Sequence, residues 1–257
     1  MRRALFLTMV MFAGSAAAAD RLSGPELGQA DWSGSYAGVF GGLGISSGRA
    51  ELADYSGVLI PADVGYGLFP GLIKGDDVSG AGGIAAGINF QSGSFVGGVE
   101  ADIGYAWTDA QHSYSRLDDT HAIAPFDINT NTRYQTDFGV LGTLRARGGF
   151  AFGNTMVFGT AGLAAGDVGN RFELSMPEVG YASPDWSASG LRLGYAVGAG
   201  IEHRMTGSVS LKFETLYVNL ADRTVRGVDP AAFPGESISY RFKNDMVMPR
   251  LGINVKF

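Results

Sequence analysis

The sequence predicts an all-β fold, a transmembrane antiparallel up-and-down β-barrel of eight strands with four long extracellular loops. Three observations predict it. Apolar and polar residues alternate with period two along most of the chain, and no segment sustains a helical period. Short glycine-bearing turns alternate with long polar connections. The apolar faces end in aromatic residues, while the opposite faces carry charges of both signs.

The chain opens on a segment set apart from the fold. Arg2 and Arg3, the apolar run at 5–12 and Ala17-Ala18-Ala19 follow the order of a secretory signal peptide. Residues 1–19 are therefore expected to be removed, through the Sec route rather than the twin-arginine route. Residues 20–31 read as a periplasmic lead-in and 32–257 as the barrel. Removing the leader takes away two arginines and no acid, which leaves 17 bases against 25 acids, a balance of −8. That excess argues against a nucleic-acid partner. The absence of cysteine excludes disulfides and thiolate metal sites. No run after the leader approaches the roughly 20 apolar residues of a spanning helix.

Strand candidates follow in order. Residues 32–45 and 155–165 are Gly/Ala-rich, and alternation does not assign their faces. Residues 84–90 place Ile84, Ala86, Ile88 and Phe90 on one side. Residues 95–107 oppose Phe95, Val99, Ile103, Tyr105 and Trp107 to Glu100 and Asp102. Residues 138–152 oppose Leu144, Phe150 and Phe152 to Arg145 and Arg147. Residues 191–203 set Leu193, Val197 and Ile201 against Arg192 and Glu202. Residues 209–217 set Leu211, Phe213 and Tyr217 against Lys212 and Glu214, and 247–257 set Leu251, Ile253 and Phe257 against Arg250.

Short turns are expected at Ser92-Gly93, Gly153-Asn154 and Thr206-Gly207, and long loops at 46–80, 108–136, 166–188 and 221–245. A periplasmic N-terminus places every short turn and both termini on the periplasmic side. Apolar pieces at 58–60 and 238–242 are strand extensions above the membrane or an extra hairpin, which would make ten strands.

Alternation alone does not say which face is inside. A soluble lipocalin-like barrel or periplasmic sandwich shows the same period. The aromatic ends favour apolar sides toward lipid, with Trp32, Phe90, Phe95, Phe152 and Phe257 at the periplasmic level and Tyr105, Trp107 and Tyr217 at the outer level. The charged positions then form a lumen cluster of Glu100, Asp102, Arg145, Arg147, Arg192, Glu202, Lys212, Glu214 and Arg250. Neighbouring strands predict the pairs Glu100–Arg147 and Asp102–Arg145, with Glu202 near Lys212 or Glu214 near Arg250. Side chains fill an eight-stranded barrel, so the cluster reads as a plug of paired charges rather than a narrow ion path.

The segment Trp32-Ser33-Gly34-Ser35-Tyr36-Ala37-Gly38 resembles the W-x-G-x-Y-x-G opening strand of the alphaproteobacterial outer-membrane immunogenic proteins, small porin-family surface antigens. Residues 211–218, Leu-Lys-Phe-Glu-Thr-Leu-Tyr-Val, resemble that family's penultimate strand, with Thr215 in place of a usual tyrosine. Residues 250–257, Arg-Leu-Gly-Ile-Asn-Val-Lys-Phe, resemble its closing strand. The resemblance implies an eight-stranded barrel, insertion by the barrel-assembly machinery with Phe257 in the terminal signal, and no catalytic residue.

Other constellations are weak. His112 and His121 flank Asp118-Asp119, a composition compatible with acid–base chemistry at a barrel rim but without a specific spacing. Asp76-Asp77 and Asp118-Asp119 are first candidates for divalent-cation bridges to lipopolysaccharide phosphates. The run Gly80-Ala81-Gly82-Gly83 lacks the Lys-Ser/Thr of a phosphate loop. The expected function is an integral outer-membrane barrel with a structural or surface role. Its expected partners are membrane lipid, lipopolysaccharide and an extracellular contact through the loops. No cofactor, metal or catalytic residue is expected. A narrow porin-type channel is the alternative, and a rim enzyme the third reading.

Overall fold

The computed structural model describes residues 30–107, 110–118 and 127–257. The leader, most of the lead-in, Asp119 and His121 lie outside them. The described elements are β1 (Gly34–Ser56), α1 (Leu59–Gly65), β2 (Leu72–Ser92), β3 (Phe95–Trp107), β4 (Ala110–Asp118), β5 (Ile128–Phe152), β6 (Thr155–Met176), β7 (Tyr181–Ala182), β8 (Trp186–Arg204), β9 (Val209–Gly227) and β10 (Ser237–Lys256).

Every pairing is antiparallel. The ladders run β1–β2–β3–β5–β6–β8–β9–β10 and return to β1, which closes a barrel without a free edge around the ring. Among the described residues ten strand segments occur, eight of which form the closed ring. The additional two are β4, which continues along β5 beyond the end of β3, and β7, a two-residue piece on β6.

The strands are much longer than a membrane demands. β5 has 25 residues and β1 has 23, whereas about 9–11 tilted residues cross a bilayer. This corrects the four long loops. Most of 46–80, 108–136, 166–188 and 221–245 is strand, and the connections shrink to segments such as 57–71 and 228–236. The reason is visible in the inward positions. Ala50, Ile73, Tyr134, Phe172 and Phe242 stay apolar and buried through these stretches, so acids such as Glu51 and Asp76 sit on the outer face of continuing strands.

The wall is apolar over a defined band. Leu43, Leu144, Leu163, Leu191 and Leu251 are 48%, 54%, 69%, 70% and 55% exposed. So much contiguous exposed hydrocarbon has no place on a water-soluble monomer; a bilayer covers it. Along β3 the band runs from Phe95 to Trp107, about 30 Å after allowing for tilt.

The interior is filled in layers. At the end where β1 begins and β10 finishes, Trp32, Val96, Ala151, Met156 and Phe158 form an apolar cap. Above it lies the charged layer described below. Next come Ala81, Phe138, Leu141, Leu216, Leu220 and Met248. The Asn170 amide then donates to Thr136 Oγ1 at 3.1 Å and to Asn244 Oδ1 at 3.2 Å. The far end holds a second core, with Phe69, Tyr134, Phe172, Tyr240 and Phe242.

Trp32 is therefore not a lipid-facing residue of the periplasmic-level girdle. It is 3% exposed inside the terminal end, with the Arg204 guanidinium 4.6 Å from its ring centroid. Residues 30–33 turn under the barrel instead of extending the wall; the Trp32 N–H donates to Gln91 Oε1 at 2.7 Å. Phe95, Tyr105 and Trp107 do face outward, and Tyr217 packs on Tyr195 at the wall with ring centroids 6.2 Å apart. Gly93 and Gly153 turn the β2–β3 and β5–β6 hairpins with positive φ. The turn at Thr206-Gly207 closes differently, through the Met205 N–H to Val209 O at 2.9 Å.

Candidate functional site

Strand pleat sends alternate side chains inward, and on five strands the inward positions at one level are ionised. β3 supplies Glu100 and Asp102, β5 supplies Arg145 and Arg147, β8 supplies Glu202, β9 supplies Lys212 and Glu214, and β10 supplies Arg250. All eight are buried. Four carboxylates face four cations.

Arg145 is the hub. Its Nη2 donates to Glu100 Oε1 at 2.6 Å and to Asp102 Oδ2 at 2.7 Å, its Nη1 to Glu214 Oε1 at 2.6 Å, and its Nε to Thr143 Oγ1 at 2.9 Å. Lys212 Nζ donates to both Glu100 oxygens, at 2.8 and 2.7 Å. Arg250 joins Glu214 at 2.8 Å and Asp102 at 2.9 Å through Nη2. Arg147 donates to Glu202 Oε2 at 2.8 Å and lies 3.7 Å from Glu100. Ser210 Oγ and Asn254 Nδ2 donate to the other Glu202 oxygen at 2.5 and 2.8 Å.

The register explains part of this. Glu100 stands opposite Arg145, and Glu214 opposite Arg250. Other bonds cross the lumen between strands that are not neighbours, some of them between residues more than 100 positions apart, such as Lys212 to Glu100 and Arg250 to Asp102. Of the pairs read from sequence, Asp102–Arg145 and Glu214–Arg250 are made directly, and Glu100–Arg147 is a longer contact. Glu202 lies opposite Lys212 in the ladder, yet its carboxylate goes to Arg147.

Arg192 is a correction. It sits on β8 opposite Gly166, beyond the charged layer, and joins none of its carboxylates. Without Arg192 the cluster balances four against four.

Sequence reasoning missed the aromatic members. Tyr36 and Phe40 on β1 and Phe158 on β6 lie in the segments whose faces alternation left open. Tyr36 Oη donates to Glu100 Oε2 at 2.7 Å and accepts from Arg147 Nη1 at 2.9 Å. The Arg147 guanidinium lies 4.2 Å from the Phe158 centroid, and that of Arg250 lies 4.4 Å from Phe40. A signal existed in the glycines. A Cβ on Gly83 would stand 2.7 Å from Phe40 Cζ, and one on Gly200 would stand 2.7 Å from Phe158 Cζ. The rings lie flat on strands that lack side chains there.

Chemically the layer is closed. Each carboxylate holds at least one cation, and apolar layers lie on both sides. Unpaired, each buried ion costs several kcal/mol; interlocked, they fill the lumen.

The other candidates separate. Asp76 and Asp77 point to opposite faces of β2, so they do not share an ion. Asp77 Oδ2 is 2.7 Å from His112 Nε2, and that ring stacks on Tyr134 at 5.2 Å. Among the described residues no group of three or more His, Asp or Glu is arranged to hold a metal ion.

A closed antiparallel ring with a lipid-facing apolar wall and an ion-paired interior defines an integral β-barrel of the bacterial outer membrane. The chain belongs to the outer membrane protein beta-barrel domain family, whose model matches residues 4–242. It is 29% identical to the 31 kDa outer-membrane immunogenic protein of Brucella melitensis, with 96% of this chain and 95% of that protein covered. It is 27% identical to the 25 kDa outer-membrane immunogenic protein of Brucella canis, covering 89% and 81%. It is 28% identical to the 22 kDa outer membrane protein of Rhizobium leguminosarum, covering 68% and 64%. Among solved structures it aligns with Pseudomonas aeruginosa OprG at 12% identity and TM-score 0.48, covering 89% and 98%.

Proposed function

We propose that this protein is a sealed, structural and surface-presenting barrel of the outer membrane rather than a channel. The interlocked charge layer between two apolar layers carries this reading. Free diffusion needs a water-filled lumen, as in barrels of 16 or more strands. Recordings of the refolded mature protein in planar bilayers are expected to show no stable conductance steps; reproducible single-channel openings would overturn the reading in favour of a pore.

The far end then faces outward, and its wall is suited to lipopolysaccharide. Lys74, Arg49 and Lys243 stand in one row on the adjacent strands β2, β1 and β10. Arg49 lies four residues beyond Ile45, an apolar wall position. That spacing corresponds to about 10 Å above hydrocarbon on a tilted strand, near the headgroup layer and within reach of long cationic side chains. Lys243 is already paired with Asp222 at 2.6 Å and Arg49 lies in the field of Asp245, so Lys74 and the remaining donors of Arg49 are the groups proposed for phosphate. Lipopolysaccharide is expected to raise the unfolding temperature of the native barrel, and the Arg49→Ala/Lys74→Ala variant is expected to lose that gain; an unchanged gain removes the row from the proposal. Phe257, at the closing strand, is the proposed recognition residue for the barrel-assembly machinery. Its N–H donates to Ser35 O at 2.9 Å, so the terminal residue also seats the β10–β1 seam.

A further inference from the structure

The ladder between β8 and β9 does not run the full height of the wall. It starts at Arg204–Ser210 and stops at Gly194–Leu220. Beyond that point β8 continues to Trp186 along β6, and β9 continues to Gly227 along β10. Residues 186–193 and 221–227 therefore flank a seam that no ladder bridges. The seam is closed above, where Trp186 Nε1 donates to Val228 O at 3.0 Å.

Two arginines stand at this seam. Arg192 lies opposite Gly166, where an added Cβ would meet Leu220 Cδ1 at 2.9 Å and Leu141 Cδ1 at 3.2 Å, so its position is on the inner face. Arg223 lies opposite the buried Phe242, and a bulge at Ala221 and Asp222 sets it on that inner face. Its Nη2 reaches toward β8, 3.8 Å from where a Cβ on Gly190 would stand. Both arginines are half-buried. The charges that act on Arg223 are those of Arg192 and of Asp167, which is exposed on the outer face opposite Leu191. Among the described residues neither guanidinium closes a salt bridge, and Arg192 Nε is buried without a hydrogen-bond partner. The charged layer nearer the termini balances four cations with four acids; this pair repels itself and lacks an anion. Arg192 is three residues beyond Tyr195 of the outer aromatic level, about 8 Å along the membrane normal on a tilted strand, where the phosphates of the outer leaflet lie.

We propose that Arg192 and Arg223 clamp a phosphate group in this seam. Guanidinium forks offer paired N–H donors that match phosphate oxygens. The bound anion cancels the repulsion between the two arginines, and Arg192 Nε gains an acceptor. The height of the seam favours a phosphate of lipid A over a free phosphate. That source rests on the lipopolysaccharide reading; the clamp itself does not. The seam is separate from the Arg49–Lys74 row, which stands on β1 and β2.

The test uses the refolded full-length mature barrel in nonionic micelles, titrated with lipid A, dephosphorylated lipid A and inorganic phosphate, with bound molecules counted by native mass spectrometry. Lipid A is expected to bind at least about tenfold tighter than its dephosphorylated form. Arg192→Gln/Arg223→Gln is expected to weaken lipid A at least about fivefold while keeping the heat-shifted gel band that reports the folded barrel. Without ligand this variant is expected to unfold at a temperature no lower than the parent's, because a repulsion is removed; a merely structural role would lower it. Arg192→Lys keeps the charge and loses the fork, and is expected to weaken lipid A about threefold. The Arg49→Ala/Lys74→Ala variant separates the two sites: loss in it alone overturns the seam and leaves the row, whereas loss in the seam variant alone supports the seam and removes the row. Inorganic phosphate that displaces lipid A at equal concentration keeps the clamp and overturns the lipid source. Equal binding of the phosphorylated and dephosphorylated lipids, or seam variants that bind as the parent does, would each overturn the proposal.

Discussion

Arg145 and Glu100 face each other in the β3–β5 ladder, and their side chains close at 2.6 Å inside the barrel. The same guanidinium holds Asp102 and Glu214. Arg145→Ala therefore takes one cation from each of three buried carboxylates and leaves four acids against three bases. The expected cost is about 3–5 kcal/mol, the usual result of breaking a buried ionic network from one side. Urea unfolding followed by the heat-shifted gel band measures it. Arg145→Lys is expected to recover only part of the loss, because one ammonium cannot reproduce the forked contacts of a guanidinium.

The same variant tests closure. Removing Arg145 opens one layer, but the Phe138–Leu141–Leu216 layer and the far-end core remain in series with it. Arg145→Ala is expected to stay silent in bilayer recordings. Openings in this variant alone would show that the charge layer is the sole seal.

Glu236 ties the first connection to the last. Its carboxylate accepts the N–H groups of Val58, Leu59 and Ile60 at 2.7, 3.0 and 2.9 Å, at the start of α1. Those backbone donors hold its carboxyl below the ordinary range. A depressed carboxylate contributes to folding above its unfolded pKa of about 4.3, and the contribution fades as pH falls through the folded value. Near pH 7 the contact is fully present; in acid α1 is expected to loosen while the barrel holds. Glu236→Gln should imitate the acid state at pH 7, with faster amide exchange at Val58–Ile60 and an unchanged gel shift. Protection equal to the parent would refute the latch.

Phe158 is 4% exposed and lies under Arg147. Phe158→Ala is expected to destabilise the barrel by about 3–5 kcal/mol, combining lost burial with a cavity at the terminal end. Gly200→Val should be damaging for the converse reason, since its side chain would occupy the space of the Phe158 ring. Thermal or urea unfolding of the refolded variants checks both.

Alternation makes the wall legible in the sequence. Leu144 faces out while Arg145 faces in, because the pleat reverses direction at each residue and only one side of such a strand tolerates lipid. The length of the strands was less legible. Acids at Glu51 and Asp76 read as loop, whereas Ala50 and Ile73 continue the inner face beneath them. Trp32 misled because an aromatic beside a strand end fits a girdle or an internal cap equally well. Arg192 misled because its alternation phase matches the cluster while its height does not.

On the strands with clear alternation the sequence by itself determined which residues look inward and which face lipid, since that follows from local pleat geometry and hydrophobicity; on the Gly/Ala-rich strands β1 and β6 it did not. Only the tertiary structure decided who pairs with whom across the lumen. Barrel closure and strand stagger bring Lys212 to Glu100 and Arg250 to Asp102 from opposite parts of the chain. Closure likewise seats the rings of Tyr36, Phe40 and Phe158 on guanidinium groups that no local spacing links to them.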